Sequence, residues 1–183
     1  MRRDAEANRA RLLQAAERVF AERGVDASLE DVARAADIGA ATLYRRFGTK
    51  QALVREVLEA FFSQLLALAD EALTEPPERC LDRFLETVGY ELAARRGFMH
   101  GMWGELAPAE LIAELQARTQ RLLAKAQDGG GIHEQVGVDD IAATVWALRG
   151  IIHTSEQSVP GTWRRHLTYT LAGFRSAVSE PIS

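Results

Sequence analysis

Apolar residues recur three and four positions apart along almost the whole chain, a spacing that suits packed α-helices and little else. Leu12, Leu13, Ala16, Val19 and Phe20 form one such stripe, on a helix expected to run to Arg23 and stop at Gly24. Ser28-Leu29-Glu30-Asp31 has the form of a capping box: the Ser28 hydroxyl accepts from the Asp31 amide while the Asp31 carboxylate reaches back. Leu29, Val32, Ala33 and Ala36 supply the buried face of a short second helix. Asp37-Ile38-Gly39 interrupts it, because Asp and Gly favour turns, and a third short helix restarts at Ala40 and reaches Phe47. Gly48-Thr49 ends that helix and places Thr49 to cap a long fourth one carrying Leu53, Val54, Val57, Leu58, Phe61, Phe62, Leu65, Leu66 and Leu68, which Pro76-Pro77 ends.

The pattern predicts five more helices, over about 78–95, 98–106, 108–127, 139–157 and 162–179, with Asp139 or Asp140 capping the fourth of these and Thr162 the fifth. Nine helices and no strand make an all-α chain. Gly129-Gly130-Gly131 is a loop between two of them; no Lys-Ser or Lys-Thr pair follows it, so it is not a phosphate cradle.

The 183 residues include 22 Lys or Arg against 26 Asp or Glu, a net charge of −4 that excludes a uniformly basic nucleic-acid coat. The basic side chains are nevertheless unevenly placed. Residues 1–50 carry ten basic and eight acidic groups, and the remainder 12 and 18, so only the first fifty offer a polyanion footprint. Cys80 stands alone and cannot form an internal disulfide, which fits a reducing cytoplasm. No apolar h-region follows the opening MRRDAEANRAR, and no stretch approaches the roughly 20 apolar residues that span a bilayer, so a cytoplasmic protein without a membrane partner is expected. His100, His133, His153 and His166 show no ligand spacing, and neither Gly-x-Ser-x-Gly nor Gly-x-Gly-x-x-Gly occurs. No catalytic residue, metal site or cofactor is expected.

Residues 28–50, SLEDVARAADIGAATLYRRFGTK, read physically as a helix-turn-helix: a capped short helix, a tight turn, and a second short helix whose polar and basic residues lie off its apolar side. Leu43 and Phe47 are four apart and pack inward, which turns Thr42, Arg45 and Arg46 away from the core. Tyr44 offers a hydroxyl donor suited to a phosphate oxygen, and Thr49 and Lys50 stand at a helix N-terminus, where anions are favoured.

The run ATLYRRFGTKQAL, preceded by SLEDVARAADIG, resembles the DNA-binding signature of the tetracycline-repressor (TetR) family of transcriptional regulators over about residues 8–55. The resemblance implies an all-α homodimer in which residues 1–50 are a helix-turn-helix DNA-binding domain and residues 51–183 a helical ligand-binding and dimerisation domain. It implies phosphate contacts at Ser28, Thr42, Tyr44 and Lys50 and base-edge approach by Gly39, Ala40 and Ala41. The Gly-Ala-Ala start carries no hydrogen-bonding side chain, so sequence preference must lean on Thr42, Tyr44, Arg45, contact of Ala with thymine methyls, and DNA shape. Glu30, at the second position of helix two, is unfavourable beside phosphates.

The implied function is a ligand-responsive transcriptional regulator, in the family's usual mode a repressor, that binds a pseudo-palindromic operator on double-stranded DNA and is released by a small-molecule effector. A helical protein-interaction adaptor, or a small-metabolite enzyme without DNA binding, is the alternative, but either leaves the Thr-Leu-Tyr-Arg-Arg helix unexplained. Residues whose size and polarity suit an apolar effector cavity are Phe61, Phe62, Tyr90, Met99, His100, Met102, Trp103, Trp146 and His153, each of which also suits ordinary core. In the resembled family the last two helices pack against a symmetry mate; here they carry Val145, Leu148, Ile152, Leu167, Leu171 and Phe174, with small Gly150 and Gly173 permitting close approach. Periodicity does not separate a dimer face of this kind from the chain's own core.

Overall fold

The computed structural model of the chain describes residues 2–101, 106–155 and 158–176. Among the described residues there are nine α-helices and no strand: α1 (Arg2–Arg23), α2 (Leu29–Ala35), α3 (Ala40–Phe47), α4 (Lys50–Ala72), α5 (Pro77–Ala94), α6 (Arg96–Gly101), α7 (Ala109–Asp128), α8 (Val138–Ser155) and α9 (Thr162–Phe174). No helix is long and apolar enough to cross a membrane, among the described residues.

Most helix ends follow from local chemistry. α1 gives way at Gly24, φ 57°, to a single 3-10 turn over Gly24–Asp26. Thr49 Oγ1 accepts from the Ala52 amide at 3.1 Å and so caps α4. Pro77 opens α5, where a missing N–H costs nothing. Asp140 acts from inside α8, its carboxylate accepting from the Gly137 amide at 2.8 Å. Two expectations fail at α9. Thr162 is not its cap: Gly161 holds that position at φ 80°, and the Thr162 hydroxyl donates back to the Val159 carbonyl at 2.7 Å. The helix also ends at Phe174 rather than 179, with the Arg175 amide donating to the Ala172 and Gly173 carbonyls.

The chain divides into two compact units, Met1–Phe62 with Arg95–Ala109 and Ser63–Ala94 with Glu110–Ser183. In the first, α1 packs on α2 and α6, and α2 on α3. Leu12, Leu13, Ala16, Val19 and Phe20 of α1 are buried, as are Leu29, Val32 and Ala33 of α2 and Leu53, Val54, Val57, Leu58, Phe61 and Phe62 of α4. Phe20 stacks on Phe98 of α6 with centroids 6.2 Å apart, and each buried phenyl contributes about 1.5–3 kcal/mol relative to exposure. Arg95 reinforces this junction, bonding Glu17 at 3.1 Å and lying over the Phe61 ring at 5.4 Å.

In the second unit α8 packs on α9 and both pack on α5. The apolar stripes meet there: Leu81, Phe84, Leu85, Val88 and Leu92 from α5, Ile141, Leu148 and Ile152 from α8, and Trp163, Leu167 and Leu171 from α9, all buried. Gly89 lets the wholly buried Trp163 approach, since a Cβ there would sit 2.2 Å from the indole Cζ3. Arg118 of α7 bonds Asp70 of α4 at 2.9 Å, and Lys125 Nζ donates to the Leu73 carbonyl at 2.7 Å.

Of the residues expected at a dimer face, Leu148, Ile152, Leu167 and Leu171 are buried within the chain itself. Val145 and Phe174 are half-buried at its edge. The exposed side of the same helices carries different residues: Trp146 at 68% exposure, Tyr169 at 62%, and Gly150 and Gly173, where an added Cβ would meet nothing within 4 Å.

Candidate nucleic-acid interface

The Ser28 capping box forms as the sequence predicts. Ser28 Oγ accepts from the Asp31 amide at 3.1 Å, and Asp31 Oδ2 accepts from the Ser28 amide at 3.1 Å and the Ser28 hydroxyl at 2.8 Å. These donors, the Ser28 amide first, together with Arg23 at 2.7 Å, hold the Asp31 carboxyl below its ordinary pKa. The box fixes where α2 begins.

A Schellman-type stop fixes where it ends. The Ile38 amide donates to the Ala33 carbonyl at 3.0 Å and the Asp37 amide to the Arg34 carbonyl at 3.3 Å, which requires Asp37 to sit at φ 55°. Asp tolerates that left-handed conformation better than most non-glycine residues. Four residues, 36–39, therefore turn the chain between two well-defined helices, and the last of them, Gly39, is the N-cap of α3.

At 100° per residue, α3 has three working sides. Leu43, fully buried, and half-buried Phe47 define the inward one. Ala41, Thr42 and Arg45 point the opposite way and are exposed, with Gly39 exposed and Ala40 half-buried just before them. Tyr44 and Arg46 form the two flanks. Tyr44 is 43% exposed and its hydroxyl donates to Glu30 Oε1 at 2.7 Å. That bond, ahead of smaller contributions, lowers the Glu30 pKa and raises the tyrosine's. Arg46 shares Glu56 Oε1 with Arg9, at 3.3 and 2.6 Å, and lies over Phe47 at 5.0 Å. Its guanidinium is thus held against the head by an acidic neighbour. Lys50 is the first residue of α4 and half-buried. All eight residues named from the sequence for DNA contact therefore lie on one short stretch of the first unit, Ser28–Lys50, and none is fully buried. Two features escape the sequence: the Ser28 hydroxyl also donates to Asp31 Oδ2, and Tyr44 bonds to Glu30.

The other candidates scatter. Phe61 and Phe62 are buried in the first unit and pack edge to face at 5.7 Å, as core does. Tyr90 is 45% exposed and set edge-on to Trp163 at 5.1 Å, with Arg164 4.9 Å above its ring. Trp146 and His153 are exposed on α8, four and three residues either side of Gly150, so neither lines an enclosed cavity within the second unit. Met102 and Trp103 lie outside the described residues, as do the side chains of Met99 and His100. No cluster of three or more His, Cys, Asp or Glu able to hold a metal occurs among the described residues.

Residues 12–57 match the family model described as bacterial regulatory proteins, tetR family. An HTH-type transcriptional repressor of Mycobacterium tuberculosis H37Rv is 42% identical over 76 residues, 40% of this chain and 40% of that protein. The aligned stretch thus spans two fifths of the curated relatives, as it also does for an HTH-type regulator of Mycobacterium bovis at 42% identity. Solved structures extend the likeness. A TetR transcriptional regulator of Streptomyces coelicolor superposes with a TM-score of 0.71 and 29% identity, covering 93% of this chain and 99% of that one. A TetR regulatory protein of Mycobacterium vanbaalenii gives 0.67 and 29%, covering 96% and 99%. The head thus matches the family's own model, and the chain shares the fold of a TetR transcriptional regulator over more than nine-tenths of its length.

Proposed function

We propose that the protein is a ligand-responsive transcriptional repressor of the cytoplasm that binds a pseudo-palindromic operator as a homodimer and leaves it when a small molecule binds. The observation that carries this reading is the outward side of α3: Thr42 and Arg45 exposed together above a fully buried Leu43, with Tyr44 on the flank and Lys50 opening the next helix. Thr42 and Arg45 are placed to meet base edges, and Ala40 and Ala41 to meet thymine methyls. Tyr44, Lys50 and Ser28 would meet phosphates, which position the head without reading sequence. In functional terms residues 1–50 are then the DNA-binding domain and 51–183 the effector and dimer domain.

Homodimerisation is assigned to the exposed side of α8 and α9, through Trp146, Gly150, Tyr169 and Gly173. An added Cβ at Gly150 or Gly173 would meet nothing within 4 Å, and two such open glycines suit the close approach of a second helix pair. A twofold pair places two α3 helices on half-sites about 34 Å apart, or a multiple of that, on one face of B-DNA. An effector acts by favouring a different spacing, and moving the population from 1:99 to 99:1 takes about 5.5 kcal/mol of differential affinity. α4 belongs to both compact units and so is the element through which such a change would pass. Selection of bound duplexes from a random-sequence pool, followed by release with a metabolite library, tests the whole scheme. An enriched, near-symmetric motif is expected; no enrichment at low salt would contradict it.

A further inference from the structure

Tyr44, the flank residue assigned above to a phosphate, already has an anionic partner. Its hydroxyl donates to Glu30 Oε1 at 2.7 Å, and both side chains are exposed, so the pair stands on the surface that would face DNA. A phenol has one O–H and serves one strong acceptor at a time. A phosphate oxygen arriving at Tyr44 must displace the carboxylate, and the displaced carboxylate remains close by, since it sits on the α2 turn fixed by the Ser28–Asp31 box. Two anions then compete for one hydroxyl. Arg23 and Arg34 do not neutralise this charge, for both are engaged by the neighbouring Asp31, at 2.7 and 3.3 Å.

We infer that Glu30 is an affinity-limiting residue of the DNA-binding head: it occupies the Tyr44 hydroxyl in the free protein and opposes the phosphate that takes its place. The inference rests on the DNA-binding reading above and deepens it. Because the phosphate rails are the same whatever the sequence, the opposition weakens operator and random DNA by the same factor. The effect is a head that lingers little on bulk DNA and relies on groove contacts at its operator.

The test compares Glu30→Gln and Glu30→Ala with the parent, on a duplex enriched from a random pool and on an unselected duplex of equal length. Gln keeps an acceptor for Tyr44 and loses the charge; Ala loses both. Affinity should rise about fivefold for each variant on both duplexes, the scale of one close charge pair in a watery setting, leaving the ratio between duplexes unchanged. In a Tyr44→Phe background, where no hydroxyl is contested, the gain from Glu30→Gln should shrink. Were Glu30 instead presenting Tyr44 to DNA, Glu30→Ala would bind more weakly than the parent, and that result overturns the inference. Unchanged affinity in both variants, with the parent's circular-dichroism spectrum retained, overturns it equally. In both cases the parent still binds DNA; a parent that binds neither duplex at low salt removes the regulator reading itself.

Discussion

Among single residues of the head, those proposed to hold DNA differ from those proposed to read it. Lys50→Ala should weaken binding to every sequence alike and lower the salt slope by about 0.9, because one phosphate fewer is neutralised and one condensed counterion fewer is released. Tyr44→Phe should also weaken every sequence, yet leave the slope nearly unchanged, because a neutral hydroxyl displaces no counterion. Affinity titrations at several salt concentrations check both; identical affinities for the two variants and the parent would contradict the phosphate assignment. Asp31 gives a pH prediction. Its folded pKa is depressed, chiefly by the Ser28 amide, so the stability it adds is fully present above the ordinary carboxylate range and is lost as pH falls through the depressed value. Asp31→Asn should therefore be less stable than the parent at neutral pH and converge with it in acid, as followed by thermal melting across pH. Much of this detail is legible in the sequence: the Ser28-x-x-Asp31 spacing alone specifies its cap. The Tyr44–Glu30 bond is not, because the two residues are 14 apart and meet only once the turn between α2 and α3 is made.

For whole helices, sequence signals locate starts and stops well and partners poorly. Thr49, Pro77 and Gly24 act where their chemistry says they should. Thr162 does not, since Pro160-Gly161 lets a left-handed glycine open α9 and leaves the hydroxyl facing back to Val159. A 3.6-residue stripe records that a face is covered but not by whom: Leu148, Ile152, Leu167 and Leu171 are buried within the chain, where α5, α8 and α9 pack together. The return of α6 to α1 is equally hidden, although Gly97 marks it: a Cβ there would lie 2.3 Å from the Ala21 carbonyl oxygen. The turn between α2 and α3 supplies a prediction about backbone strain. Asp37 holds φ 55° at a site where glycine is free of strain, so Asp37→Gly should stabilise the protein by up to about 1 kcal/mol in denaturant unfolding without altering DNA affinity. A destabilised variant would mean that the Asp37 side chain, not its backbone, maintains the turn.

In the proposed regulator, function depends on pairing, and the chain's own surface carries the features from which a pairing face is proposed. Trp146 at 68% exposure and Tyr169 at 62% are large apolar bodies left in water on helices whose opposite sides are fully packed. Composition and periodicity could not assign them, because Trp146 suits a cavity wall, a core or an interface equally well until its environment is known. Trp146→Glu removes no intramolecular packing of consequence, so it should keep the parent's fold while breaking the pair. The decisive measurement is sedimentation equilibrium of the parent and of Trp146→Glu, each alone and with a pool-selected duplex. The parent should be a dimer that binds one duplex with two protomers, and the variant a folded monomer with weakened, single-protomer binding. A parent that sediments as a monomer and leaves duplexes of every sequence free at low ionic strength would refute paired DNA binding outright.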